Sequence, residues 1–218
     1  MPELPEVETT RRGIEPHLAG CHIRQLTVHN RRLRWPVPAG LEKLIAGQSI
    51  HAINRRGKYL LLELDTGTLL IHLGMSGSLR VAQPNDPLLK HDHIELALDN
   101  GKQLRYCDPR RFGAWLWTDQ PLATHPLLAH LGPEPLSRDF TARYLFNSLQ
   151  NRKQAIKTLI MDSHLVVGVG NIYANEALFM AGIHPQRQSS TLDMDNCTRL
   201  VRQIKAVLKN AIHRGGTT

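Results

Sequence analysis

Residues 131–137 read Leu131-Gly132-Pro133-Glu134-Pro135-Leu136-Ser137, and the chain has a different texture on either side of them. Proline lacks the amide proton that helices and sheets need, and glycine resists confinement, so this stretch reads as a linker. N-terminal to it, between 22 and 118, short apolar runs alternate with turn residues. They predict strands at 22–29, 49–54, 58–64, 68–73, 78–82, 93–98, 103–107 and 114–118. Asp99-Asn100-Gly101 is a strong hairpin turn, and one short helix at about 40–46 interrupts the series. Many short strands with regular turns predict a sandwich or barrel-like β domain. C-terminal to the linker the period turns helical. Ser137 reads as an N-cap, with Phe140, Tyr144, Leu145 and Leu149 on one face. Further helices are predicted at about 154–162, at 171–181 with a stop at Gly182, and at 192–214. Ahead of the strands, residues 5–20 form a helix with Val7, Ile14 and Leu18 on one face and Gly20 as its stop. Pro16 should kink that helix or end it early. The predicted class is α+β: an N-terminal β-sandwich with an N-terminal helix over 1–131, then an all-helical domain over 132–218.

Composition narrows the partners. Lys and Arg number 27 against 19 Asp and Glu, giving 27 − 19 = +8 over 218 residues. Such an excess favours a polyanion, and the basic residues cluster as Arg31, Arg32 and Arg34; Arg55, Arg56 and Lys58; Arg110 and Arg111; and Arg152, Lys153 and Lys157. Cys21, Cys107 and Cys197 are far apart and odd in number, which argues against a disulfide framework. With an acidic, Pro-rich start in place of a signal peptide and no membrane-length apolar run, the expected location is cytoplasmic.

The opening Met1-Pro2-Glu3-Leu4-Pro5-Glu6-Val7-Glu8 carries the chemistry. Methionine before so small a residue is normally removed, leaving Pro2 with a free secondary amine. An ordinary α-amino pKa of about 7.7–8.0 leaves a usable neutral fraction near pH 7. Such an amine attacks carbon at the carbonyl level of oxidation to give an iminium ion, with the Glu3 carboxylate placed to move a proton. The same residues also read as a plain helix start, with Pro5 near N1 and acids in the first turn. Lys58 opens the apolar strand Tyr59-Leu60-Leu61-Leu62: it is either a surface lysine at a strand end or a half-buried proton shuttle. Met75, in Gly74-Met75-Ser76-Gly77, and Phe112, in Asp108-Pro109-Arg110-Arg111-Phe112-Gly113, either pack back on the sandwich or serve as wedges that unstack a base step. In the wedge reading, Arg110 or Arg111 hydrogen-bonds the base left behind. His91 and His93 flank Asp92 at a metal-compatible spacing, but no third ligand is evident. Gly168-Val169-Gly170-Asn171 runs into a helix, a common anion-binding device. Beside Arg152, Lys153 and Lys157 it reads as a phosphate-binding face with Asn171 as side-chain donor.

These motifs resemble, in order, those of the bacterial formamidopyrimidine-DNA glycosylases, which excise 8-oxoguanine. The matching stretches are PELPEVETTRRGIEPHLAG at the start, RRGKYLLLEL at 55–64, IHLGMSGSLR at 71–80, KHDHIEL at 90–96, YCDPRRFGAW at 106–115, LGPEPLS at 131–137 and VGVGNIYANEALFMAGIHP at 167–185. The resemblance implies a helix–two-turns–helix motif in the second half and a monomer acting on damaged double-stranded DNA. It implies Pro2 as nucleophile, Glu3 as its acid–base partner and Lys58 as proton donor in β-elimination, with Glu6 holding the N-terminal geometry or bonding the lesion. It implies a void-filling trio of Met75, Arg110 and Phe112, and a DNA-backbone contact at His91. The family normally carries a four-cysteine zinc finger C-terminal to the region that resembles residues 1–218. No cofactor is therefore expected within 1–218, and one zinc ion is expected in that finger. Two other readings stay open: an endonuclease VIII-like enzyme for oxidised pyrimidines, and a DNA-binding fragment without catalysis.

Overall fold

The computed structural model describes residues 2–216. Its contacts define two compact units. One holds Pro2 and Val7–His125; the other holds Glu3–Glu6 and the chain from Pro126 onward. The sequence places the boundary at 131/132; the contacts place it at 125/126 and count Glu3–Glu6 with the helices.

In the first unit the strands are β1 (Ile23–Val28), β2 (Ile50–Arg56), β3 (Tyr59–Leu64), β4 (Thr68–His72), β5 (Ser78–Ala82), β6 (Asp92–Leu98), β7 (Gln103–Cys107) and β8 (Ala114–Thr118). They form two antiparallel four-stranded sheets, ordered β1-β6-β7-β5 and β2-β3-β4-β8. Each expected strand is present, three with the bounds expected and five with ends shifted by a residue or two. Ile23, Ile53, Leu60, Leu62, Ile71, Leu96 and Trp115 meet in one core with Val7, Ile14 and Leu18 of α1 (Leu4–Leu18). Leu61 is buried as well, so β3 is covered on both faces and lacks the alternation of a half-exposed strand. The short helix α2 spans Leu41–Ile45. Pro16 lies inside α1, which ends two residues later at Leu18.

The second unit contains α3 (Ala142–Leu149), α4 (Ile156–Ile160), α5 (Asn171–Ala181) and α6 (Met194–His213) around Phe140, Leu145, Ile160, Tyr173, Leu178, Leu200 and Leu208. Its first helix corrects the sequence reading. The cap of α3 is Thr141, whose hydroxyl accepts from Tyr144 N at 3.0 Å, and not Ser137. The Ser137 hydroxyl instead accepts from Asp139 N at 3.2 Å in a local turn. Either hydroxyl satisfies the same preference, and the helix starts where the second one sits. Likewise α6 starts at Met194, two residues later than expected, because Asp193 caps it by accepting from Asn196 N at 2.7 Å. Thr141→Ala should therefore lower stability by about 1 kcal/mol in urea denaturation, and Ser137→Ala by less than about 0.5 kcal/mol.

Candidate active site

Glu3 is 1% exposed, which for a carboxylate demands donors on every side. The start of α5 supplies them. Gly170 N donates to Oε2 at 2.7 Å, Ile172 N to Oε1 at 2.9 Å and Tyr173 N to Oε2 at 3.4 Å. A helix leaves its first amide groups unpartnered and its N-terminal end partly positive, so the carboxylate and the helix end satisfy each other. The glycine-rich turn thus holds an anion, and the anion is the chain's own Glu3.

The glycines make room for it. Gly168 has φ +82°, and a Cβ there would lie 2.6 Å from the Leu4 side chain; a Cβ on Gly170 would lie 2.3 Å from the Glu3 carboxyl carbon. Leu4 N donates to Gly168 O at 3.0 Å. Glu6 completes the arrangement. It accepts from Glu3 N at 2.9 Å through one oxygen and from the Tyr173 hydroxyl at 2.6 Å through the other. Because Glu3 N belongs to the peptide bond that follows Pro2, these contacts fix the group to which the candidate nucleophile is attached. Tyr173 is buried at 1% exposure, and nothing in the sequence singled it out. The one clue available was its place three residues after Gly170, at the start of a helix entered through glycines.

The basic side chains of this unit divide by exposure. Arg152 and Lys153 are exposed in the turn between α3 and α4, Lys157 is half-buried on α4, and Asn171 is exposed at the start of α5. The Arg152 carbonyl accepts from Ser189 Oγ at 2.9 Å and from Ser190 N at 3.1 Å, which anchors the turn while its side chain faces outward.

In the sandwich unit, Met75 and Phe112 are 40% and 42% exposed at two loop tips, with the Arg110 guanidinium stacked over the Phe112 ring at 4.7 Å. His91 is half-buried just before β6, its ring edge-on to His93. His93 is buried and its Nε2 lies 2.8 Å from Asp108 O, so it serves the fold. Not every clustered cation faces solvent. Arg55 joins Arg11 and Arg12 around Glu8, at 3.1, 3.1 and 2.8 Å. Burial pushes the Glu8 carboxyl up, but these three guanidinium groups outweigh it and hold the group below the usual carboxylate range.

Lys58 lies between β2 and β3, beside the pair formed by Tyr59 and His72, whose rings are 4.8 Å apart. Burial lowers the His72 pKa to about 4, the Lys58 and Arg34 charges push the same way, and Asp108 opposes them. Its Nδ1 accepts from Gly74 N at 3.0 Å, which a neutral ring allows. Among the described residues no group of three or more His, Cys, Asp or Glu side chains is placed to hold a metal ion, and Cys21, Cys107 and Cys197 are free thiols. No helix among the described residues is long and apolar enough to cross a membrane.

Both units have the form found in a class of DNA-repair glycosylases. Residues 1–115 match the formamidopyrimidine-DNA glycosylase N-terminal domain, and residues 131–218 match the formamidopyrimidine-DNA glycosylase H2TH domain. A formamidopyrimidine-DNA glycosylase of Thioalkalivibrio sulfidiphilus is 60% identical over the whole chain, which spans 80% of that relative. Among solved structures, Lactococcus lactis formamidopyrimidine-DNA glycosylase, bound non-covalently to DNA containing an abasic site, superposes with a TM-score of 0.91 at 36% identity, over 99% of this chain and 83% of that one. A variant of the same enzyme in complex with a Fapy-dG-containing DNA gives 0.92 at 37%, over 100% and 80%. The chain belongs to the formamidopyrimidine-DNA glycosylase family.

The His72 environment sets a pH dependence. Below about pH 6.5 the unfolded chain protonates this ring, while the folded chain does not until about pH 4. Stability from this group is therefore complete above pH 6.5 and is lost as pH falls toward 4, by about 3 kcal/mol. His72→Asn, which keeps an acceptor near Gly74 N without titrating, should flatten denaturant-derived stability across that window.

Proposed function

We propose that this protein is a bifunctional DNA glycosylase and AP lyase, a cytoplasmic monomer that removes oxidised purines such as 8-oxoguanine and formamidopyrimidines from duplex DNA. The observation that carries the reading is the anchoring of the Pro2–Glu3 peptide by Glu6 and of the Glu3 carboxylate by α5. Three backbone donors and a glutamate spent on one N-terminal residue exceed what a helix start requires. The Lactococcus relative's complexes with abasic-site and Fapy-dG DNA support the substrate class.

The target nucleotide leaves the stack, because its C1′ is shielded within the duplex. The Pro2 amine attacks C1′ and the bond from C1′ to the base breaks, the base leaving with that electron pair and taking up a proton. Glu3 delivers a proton to O4′ as the sugar ring opens, and the nitrogen lone pair forms the iminium ion. That cation acidifies the C2′ proton. Its loss expels the 3′ phosphate in β-elimination, with Lys58 as proton donor, and the 5′ phosphate follows in δ-elimination. Glu6 holds the N-terminal geometry. Met75, Arg110 and Phe112 fill the space the nucleotide vacates, while His91, Arg152, Lys153, Lys157 and Asn171 contact the backbone. The zinc ion assigned to the family's finger has no part in these steps.

Borohydride trapping on an 8-oxoguanine duplex tests the nucleophile. The adduct should map by mass spectrometry to the N-terminal peptide and vanish when a tag blocks Pro2; an adduct on the Lys58 peptide refutes the mechanism. Binding without any adduct or strand cleavage would make the chain a DNA-binding module, and preference for a thymine-glycol duplex would move it to oxidised pyrimidines.

Glu3→Gln should abolish base excision yet retain cleavage at a pre-formed abasic site, where no base need leave. Gly170→Ala, which displaces the carboxylate, should give the same split, with single-turnover excision down by about 100-fold or more. Excision at the parent rate in both variants would reduce Glu3 to a helix-start residue.

A further inference from the structure

The exposed tips Met75 and Phe112 belong to separate loops, one between β4 and β5 and one between β7 and β8, yet the loops are built as a single body. At their junction lies Asp108, fully buried. Its Oδ1 accepts from the Ser76 hydroxyl at 2.6 Å, and its Oδ2 accepts from the Tyr106 hydroxyl and Gly113 N, both at 2.9 Å. Ser76 Oγ in turn accepts from Arg110 N at 3.1 Å, and Asp108 O accepts from Arg111 N at 3.1 Å. Burial and the neighbouring Asp108 push the Tyr106 phenol up, so it remains a donor. The backbones meet as closely as the side chains. A Cβ on Gly74, where φ is +66°, would lie 2.4 Å from the Phe112 carbonyl carbon, and one on Gly113 would lie 1.7 Å from the Tyr106 hydroxyl.

A carboxylate this deep is costly unless each oxygen is hydrogen-bonded, and bonds to a charged acceptor are roughly twice as strong as neutral ones. Here they are spent between the loop that presents Met75 and the loop that presents Arg110 and Phe112. Unstacking a base step takes a few kcal/mol, and a tip on a yielding loop bends back before delivering it. We propose that Asp108 is a positioning residue for base extrusion: through Ser76 it locks the two loops together, so that Met75 and Phe112 enter the duplex as one wedge. The proposal rests on the wedge role of these tips in the proposed function.

Asp108→Asn places the fold at risk, so the gentler Ser76→Ala is the test, read by stopped-flow fluorescence on a duplex carrying 8-oxoguanine beside 2-aminopurine. Ser76→Ala should slow the brightening that follows extrusion about tenfold and leave the encounter phase unchanged. In a Met75→Ala/Phe112→Ala background, where no tips remain to position, Ser76→Ala should slow extrusion no further. Extrusion at the parent rate in Ser76→Ala, or equal slowing in both backgrounds, overturns the coupling alone. Should Met75→Ala/Phe112→Ala itself extrude at the parent rate, the wedge reading falls and takes the coupling with it.

Discussion

Between the Glu3 carboxylate and the first turn of α5, two expensive groups cancel. A buried carboxylate and an uncapped helix end each cost free energy alone, and here each is the other's remedy. The rest of the N-terminal geometry follows from that pairing. Gly170 must be glycine because the carboxyl group occupies the space of its Cβ, and Gly168 because Leu4 does. Glu6 and Tyr173 then close the arrangement from the other side. One helix end thereby orders a segment that would otherwise fray as chain termini do.

The sequence displays charge, but the fold decides how much of it a partner meets. Arg11, Arg12 and Arg55 converge on Glu8, Arg80 pairs with Asp92, and Arg31 with Glu42. Arg105 is 2% exposed, paired with Glu95 and hydrogen-bonded to the carbonyls of Pro87 and Asp86. These cations stabilise the sandwich. Arg110 and Arg111 of the sandwich unit, and Arg152 and Lys153 of the helical unit, stay exposed instead.

Local patterning was legible in the sequence, and pairing between distant residues was not. Strands bounded by turns such as Asp99-Asn100-Gly101 lie where apolar runs and turn residues put them, because those signals act within a few residues. The stop of α5 at Gly182 is of the same kind, with φ 66° at that glycine. The cap of α3 was misread because two hydroxyl residues precede the same apolar run and only the tertiary context chooses between them. Pro2, Glu3 and Glu6 could be named from their chemistry, but Glu3 and Glu6 are 167 or more residues from their α5 partners, beyond the reach of any local pattern. Tyr173 escaped notice for the same reason, and Asp108 because its partners Tyr106, Gly113 and Ser76 meet only once two loops have folded together.

Capping α5 with Glu3 also makes competence conditional. The residue assigned the proton is held only while the helical unit is folded, since its donors are the amides of that unit. A molecule in which α5 has melted keeps its proline amine but releases the carboxylate beside it. In the proposed mechanism, such a half-folded copy would have the amine without the carboxylate assigned to help the base depart. Under the proposed mechanism, melting of this helix end would silence base removal before it silences cleavage at a sugar whose base is already gone.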